Sequence, residues 1–150
     1  MYNRSTQDAI SALSLLAEKY DGGKTLISSQ EIAEKRNLPK PFVAKLLTML
    51  SQARLVSSIR GPGGGYTLAV PPAEISFYDV SRIFEREGSI LSCPFGRDYC
   101  GNQDPCPLHH QIEKIQESIE SFLKNTHFDI FQSKGKKSKE KNACRVLPIP

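Results

Sequence analysis

No run of this 150-residue chain approaches the roughly eighteen apolar residues of a membrane span, and the apolar stretch near its start is broken by Glu18, Lys19 and Asp21. Neither a spanning helix nor a secretory leader is predicted, no membrane partner is expected, and the expected location is the cytoplasm. Structural disulfides are rare there, so clustered cysteines point to a metal or redox role. Acidic residues are missing between Glu34 and Glu74, a span that holds Lys35, Arg36, Lys40, Lys45, Arg54 and Arg60. A one-signed stretch suits a polyanion, because neutralising phosphates releases condensed counterions; a solvated basic face is the plainer alternative. The glycine-rich stretch 61–65 is followed by no Gly-Lys-Ser/Thr, which argues against a phosphate-binding loop of the nucleotide type. No nucleotide motif and no acid/base or Cys–His catalytic arrangement is found, so an enzyme is not expected.

What is present reads as a mainly α chain with one small β-hairpin. Ile10, Leu13, Leu16 and Ala17 fall at helical spacing over 5–20, and Asp21-Gly22-Gly23 stops that helix. Ser28 or Ser29 caps a short second helix. Asn37-Leu38-Pro39 turns the chain into a third, running from 39 or 40 to 53, with Val43, Leu46, Leu47 and Leu50 on its buried face. Two short helices joined by a tight turn, the second amphipathic and basic, make a helix-turn-helix. Strands over 55–59 and 66–70 flank Arg60-Gly61-Pro62-Gly63-Gly64-Gly65, a hairpin whose glycine tip lets backbone approach another surface closely. A hairpin just after the second helix of such a motif is the wing of a winged-helix fold.

Beyond Pro71-Pro72, residues 75–87 read as a further helix with Phe77, Val80, Ile83 and Phe84 on one side. Residues 92–107 lack periodicity, as functional loops do. A long helix returns over 108–124 with Ile112, Ile115, Ile119, Phe122 and Leu123 at spacings of three or four. Its apolar stripe needs a partner subunit or the chain's own first helix. The domain reading is 1–72 for the winged helix-turn-helix, 73–131 for the linking helix, cysteine loop and long helix, and 132–150 for a basic, disordered tail carrying Cys144.

The loop carries Cys93-x6-Cys100-x5-Cys106, with His109 three residues further on. Thiolates favour iron–sulfur clusters and zinc. No close Cys-x2-Cys knuckle is present, the arrangement that best suits structural zinc. A Cys3His zinc site, free thiols and a redox disulfide remain alternatives on spacing.

Together these features resemble the IscR/NsrR/RirA family of bacterial iron–sulfur transcription regulators over residues 2–131. The most specific stretch is Leu55 to Leu68, centred on Arg60-Gly61-Pro62-Gly63-Gly64-Gly65-Tyr66, which is similar to the family's wing signature. The cysteine trio is the second feature. The resemblance implies a cluster-sensing repressor or activator, a homodimer in which the 108–124 helices cross, and a pseudo-palindromic double-stranded DNA site. It implies a recognition helix offering Lys40, Phe42 and Lys45 to DNA. Ser29 would cap the second helix and donate to a phosphate, and Arg60 with Gly63 and Gly64 would form the DNA-facing wing. Ala44 stands where IscR-like members carry a glutamate that discriminates between target sites. The resemblance also implies Cys93, Cys100 and Cys106 as cluster ligands. The favoured fourth ligand is His109 with a 2Fe–2S cluster. The alternative is Asp8 with a 4Fe–4S cluster, in the manner of NsrR-like members.

Overall fold

The computed structural model describes residues 3–85 and 106–136. Helix α1 (Arg4–Glu18) is its centre, with Ala12 through Ala17 all buried. Its neighbours are α2 (Ser29–Arg36), α3 (Lys40–Gln52), the second strand of the hairpin, α4 (Phe77–Phe84) and the 3-10 stretch Phe128–Lys136. Being enclosed on several sides explains why its apolar residues spread beyond the single stripe of a surface helix. The Asn3 side chain caps α1 by accepting from the Thr6 N–H at 2.8 Å. After α1, the Asp21 carboxylate accepts from the N–H groups of Lys24 and Thr25 and from the Thr25 hydroxyl. The bond from the Thr25 backbone, foremost, holds the Asp21 carboxyl below its ordinary value.

Helix α2 is capped by Ser28, whose hydroxyl accepts from the Glu31 N–H at 3.1 Å. Of the two serines that the sequence offered as cap, Ser28 is thus the cap, and Ser29, the one that the resemblance implied, is the first residue inside the helix. Asn37, in the left-handed region at φ 51°, ends α2. Helix α3 starts from the Pro39 carbonyl, which accepts from Phe42 and Val43 at 3.0 Å each. Pro41 costs nothing in this first turn, where N–H groups lack intrahelical partners anyway. Arg54, at φ 61°, closes α3 and turns the chain into the hairpin.

Strands β1 (Val56–Ile59) and β2 (Gly65–Leu68) pair antiparallel, Val56 opposite Leu68 and Ile59 opposite Gly65. Ile27 adds a bridge on the other edge of β2, exchanging both backbone bonds with Tyr66 at 2.9 and 2.8 Å. That bridge clamps the wing to the segment leading into α2. A single bridging residue has no sequence period, which is why the pattern did not reveal it.

Helix α4 is shorter than the expected 75–87. Ser76 and Asp79 form a reciprocal cap, so the helix begins at Phe77, and Glu85 is already extended. Helix α5 (His109–Asn125) packs on α4, and the 3-10 stretch after it lies along α1. Of the two partners expected for the long helix, the chain's own first helix is thus taken by the segment that follows it. Phe128 anchors this return, fully buried beside Phe77 at 4.9 Å between ring centres. Only Leu123 of α5 is buried; Ile115 stays 50% and Phe122 56% exposed. Residues 86–105 and 137–150, with Cys93, Cys100, Cys144 and most of the expected loop and tail, lie outside the described residues; the last 3-10 turn reaches Lys136.

Candidate DNA interface and cysteine site

The two halves of α3 differ sharply. Val43, Leu46, Leu47 and Leu50 are sealed at 0–1% exposure. Lys40, Pro41, Ala44, Lys45, Thr48 and Gln52 are exposed. Phe42, expected to face DNA, is half-buried and packs against the core. The buried row fixes the helix, so the outward row can approach a ligand without losing core contacts.

The wing projects beside it. Ser57, Ser58, Ile59 and Arg60 are all exposed. Gly63, at φ 73° with open space around it, provides the turn. Gly64 has a different reason to be glycine: a Cβ there would collide with the Ile59 carbonyl, and its N–H donates to the Gly61 carbonyl at 2.9 Å. Gly65 is likewise pressed against Ile27, with a carbonyl oxygen 2.8 Å from where a Cβ would sit. Gly64 and Gly65 are therefore required by the fold of the wing itself.

Between α3, the start of α2 and the wing lies an open groove of about 620 Å³, lined by Ser28, Ser29, Thr48, Ser51, Arg60 and Tyr66 among others, with no carboxylate in its lining. Ser29, half-exposed at the first turn of α2, reaches it. The groove combines the hydroxyls of Ser28, Ser29 and Ser51, a helix start and one guanidinium, a donor set suited to a phosphate oxygen.

The one-signed stretch divides in the structure. Arg36 is turned inward, 2.6 Å from Glu18 and donating to the Ser11 carbonyl, so it fastens α2 to α1. Lys35 pairs with Glu31 at 2.8 Å and Lys40 lies 3.8 Å from Glu34. Of the six cations of that stretch, Lys45, Arg54 and Arg60 have no ion-pair partner among the described residues and are left for a polyanion.

Outside this groove, Cys106 is a free thiol only 9% exposed, just ahead of α5. Its carbonyl accepts from the His109 N–H at 2.9 Å, so the first turn of α5 ties these two sequence-predicted ligands together. The His109 ring stands edge-on to His110 at 5.5 Å. Asp8 is buried on α1, its carboxylate bonded to the Arg4 guanidinium at 3.1 Å. Cys93 and Cys100 lie outside the described residues, and among the described ones no three His, Cys, Asp or Glu residues converge as a metal site.

A further connection joins the two ends of the segment 3–85. Oε1 of Glu85, the last described residue before the cysteine segment, accepts from the Asn3 N–H and the Thr6 hydroxyl, both at 2.7 Å. The Asn3 amide also donates to the Phe84 carbonyl at 2.8 Å. The start of α1 is thereby pinned to the end of α4, a link between residues some eighty positions apart that no local pattern encodes.

Residues 2–132 match the family model of Rrf2, described as an iron-dependent transcriptional regulator. A putative HTH-type transcriptional regulator of Aquifex aeolicus (strain VF5) is 31% identical over 128 residues, covering 84% of this chain and 87% of its own. Among solved structures, CymR, the global cysteine regulator of B. subtilis, is similar with a TM-score of 0.72 and 25% identity, over 89% of this chain and 97% of its own. IscR of T. potens is similar with a TM-score of 0.68 and 26% identity, over 93% of each chain. These relatives are regulators rather than enzymes, and they share the winged-helix architecture. The chain belongs to the Rrf2 family and is an IscR-like, DNA-binding transcription regulator.

Proposed function

We propose that this regulator binds a pseudo-palindromic DNA site as a homodimer and that an iron–sulfur cluster at Cys93, Cys100 and Cys106 sets its affinity. The observation that carries the reading is the buried free thiol of Cys106 fixed at the head of α5, one turn from His109. A buried thiol three residues ahead of a histidine fits the soft end of a cluster donor set. His109 is the favoured fourth ligand, with a 2Fe–2S cluster. Asp8 with a 4Fe–4S cluster is the alternative, at the cost of its bond to Arg4. When bound, the cluster supplies a redox-active and labile centre that responds to iron, cluster supply, nitric oxide or oxidants.

The chain's own residues do the rest. Lys45 and the exposed turn of α3 enter the major groove, with Lys40 at its edge. Arg60 enters the minor groove, where a narrow A·T-rich stretch concentrates negative potential. Ser29 donates to a phosphate across the groove, and Gly63 and Gly64 bring the wing backbone close. Residues 1–72 carry DNA binding, 73–131 sensing and dimerisation, and 132–150 a basic tail. The dimer forms through α5, whose exposed Ile115 and Phe122 want cover.

The likeness to a cysteine regulator supports a second reading, in which the same fold works without a cluster and the thiols hold zinc or act alone. Anaerobic purification with iron, sulfide and zinc analysis separates the two. A coloured protein with iron and acid-labile sulfide is expected; a colourless one with stoichiometric zinc contradicts the cluster.

A further inference from the structure

We propose that α3 reads thymine methyl groups, through a strip of small apolar surface made by Pro41, Ala44 and Thr48. The inference rests on α3 being the recognition helix and says which chemistry that helix recognises.

The three residues follow one another at i, i+3 and i+7, one line along a helix. All three are exposed, while the opposite side of α3 is sealed in the core. Pro41 and Ala44 have no side-chain donor or acceptor. Thr48 has a hydroxyl, but it donates to the Ala44 carbonyl at 2.9 Å. Its one proton is spent, so what it has to offer a neighbouring base edge is chiefly its methyl group.

Sequence is read in the major groove by Arg or Lys on guanine, Asn or Gln on adenine, Asp or Glu on cytosine, and apolar contact on thymine. The strip has none of the polar readers. Gln52 comes only in the last turn, and Lys45 stands beside the strip as a single point charge. Of the four bases, thymine alone presents a methyl there, so the strip is complementary to a thymine in each half-site. Taking one such methyl out of water is worth about fourfold in affinity. Two symmetrical half-sites give about fifteenfold.

The test uses the full-length protein to select duplexes from a random library, then replaces thymidine by deoxyuridine at each position of the selected duplex. Deoxyuridine keeps the pairing edge and loses only the methyl. One thymine per half-site is expected to respond, by about fourfold singly and about fifteenfold together. Thr48→Ser, which keeps the hydroxyl, is expected to weaken the thymidine duplex and leave the deoxyuridine duplex unchanged. If no position responds, methyl reading is wrong. Ala44→Gln separates this from the underlying reading. A changed selected sequence with no deoxyuridine effect removes only the methyl contact, whereas an unchanged selected sequence removes α3 as the reading helix as well.

Discussion

Single residues decide several features here, and their chemistry was unevenly legible. The left-handed position at Asn37 was readable as a turn, since asparagine tolerates that region. Arg54 was not: nothing in its type announces a φ of 61°. It sits there because the Leu55 N–H reaches back to the Leu50 carbonyl, closing α3 with a left-handed residue. A non-glycine residue in that conformation costs about 1 kcal/mol or more. Arg54→Gly is therefore expected to raise stability by about 1 kcal/mol. Thermal unfolding should show a rise of about 3 °C; a fall would mean that the arginine side chain makes a compensating contact. The cations teach a related lesson. Sequence placed six in one stretch, but only the fold could show that Arg36 is committed to Glu18 and Ser11.

Among the elements, those with strong period or turn chemistry were legible: α1, α2, α3, the hairpin and α5 all stand close to where the pattern put them. The apolar pattern carries α4 from Ile75 to Glu87, past both of its observed ends at Phe77 and Phe84. Ile75 is instead the residue before a capped start, its carbonyl accepting from the Phe128 N–H at 3.0 Å. That makes the Ser76–Asp79 cap the joint at which the linking helix and the C-terminal return meet. The Ser76 hydroxyl lies 2.6 Å from the Asp79 carboxylate and accepts from its N–H at 3.1 Å. Ser76→Ala is expected to cost about 1 kcal/mol. Urea unfolding should show an unchanged slope and a lower midpoint, and a loss below about 0.3 kcal/mol would show the cap to be dispensable.

At the scale of the whole molecule, the wing signature and the cysteine trio made a regulator legible, while the way the halves join was not. The link of Asn3 and Thr6 to Glu85 runs from the first turn of α1 to beyond the wing in sequence, and long-range polar contacts of that kind leave no local period. The exposed stripe of α5 was legible as a surface in search of a partner. Burying an isoleucine of this kind contributes about 1.5–3 kcal/mol, so a charge at its centre should break a dimer that uses it. Ile115→Asp, at a position half exposed, should leave the circular dichroism unchanged. Sedimentation should then show a monomer, with weaker binding to a two-half-site duplex. A dimer that survives both Phe122→Asp and Ile115→Asp would place the interface elsewhere.

On the proposed function, the cysteine site and the DNA interface are coupled through one folded body. Coupling means that the cluster-loaded and cluster-free forms of the same preparation bind one duplex with different affinity. The direct measurement is an anaerobic anisotropy titration of both forms on a selected duplex, alongside Cys106→Ala. At least about a tenfold difference between the two forms is expected, with Cys106→Ala fixed at the cluster-free value. Equal affinity of the two forms, within about twofold, would contradict it.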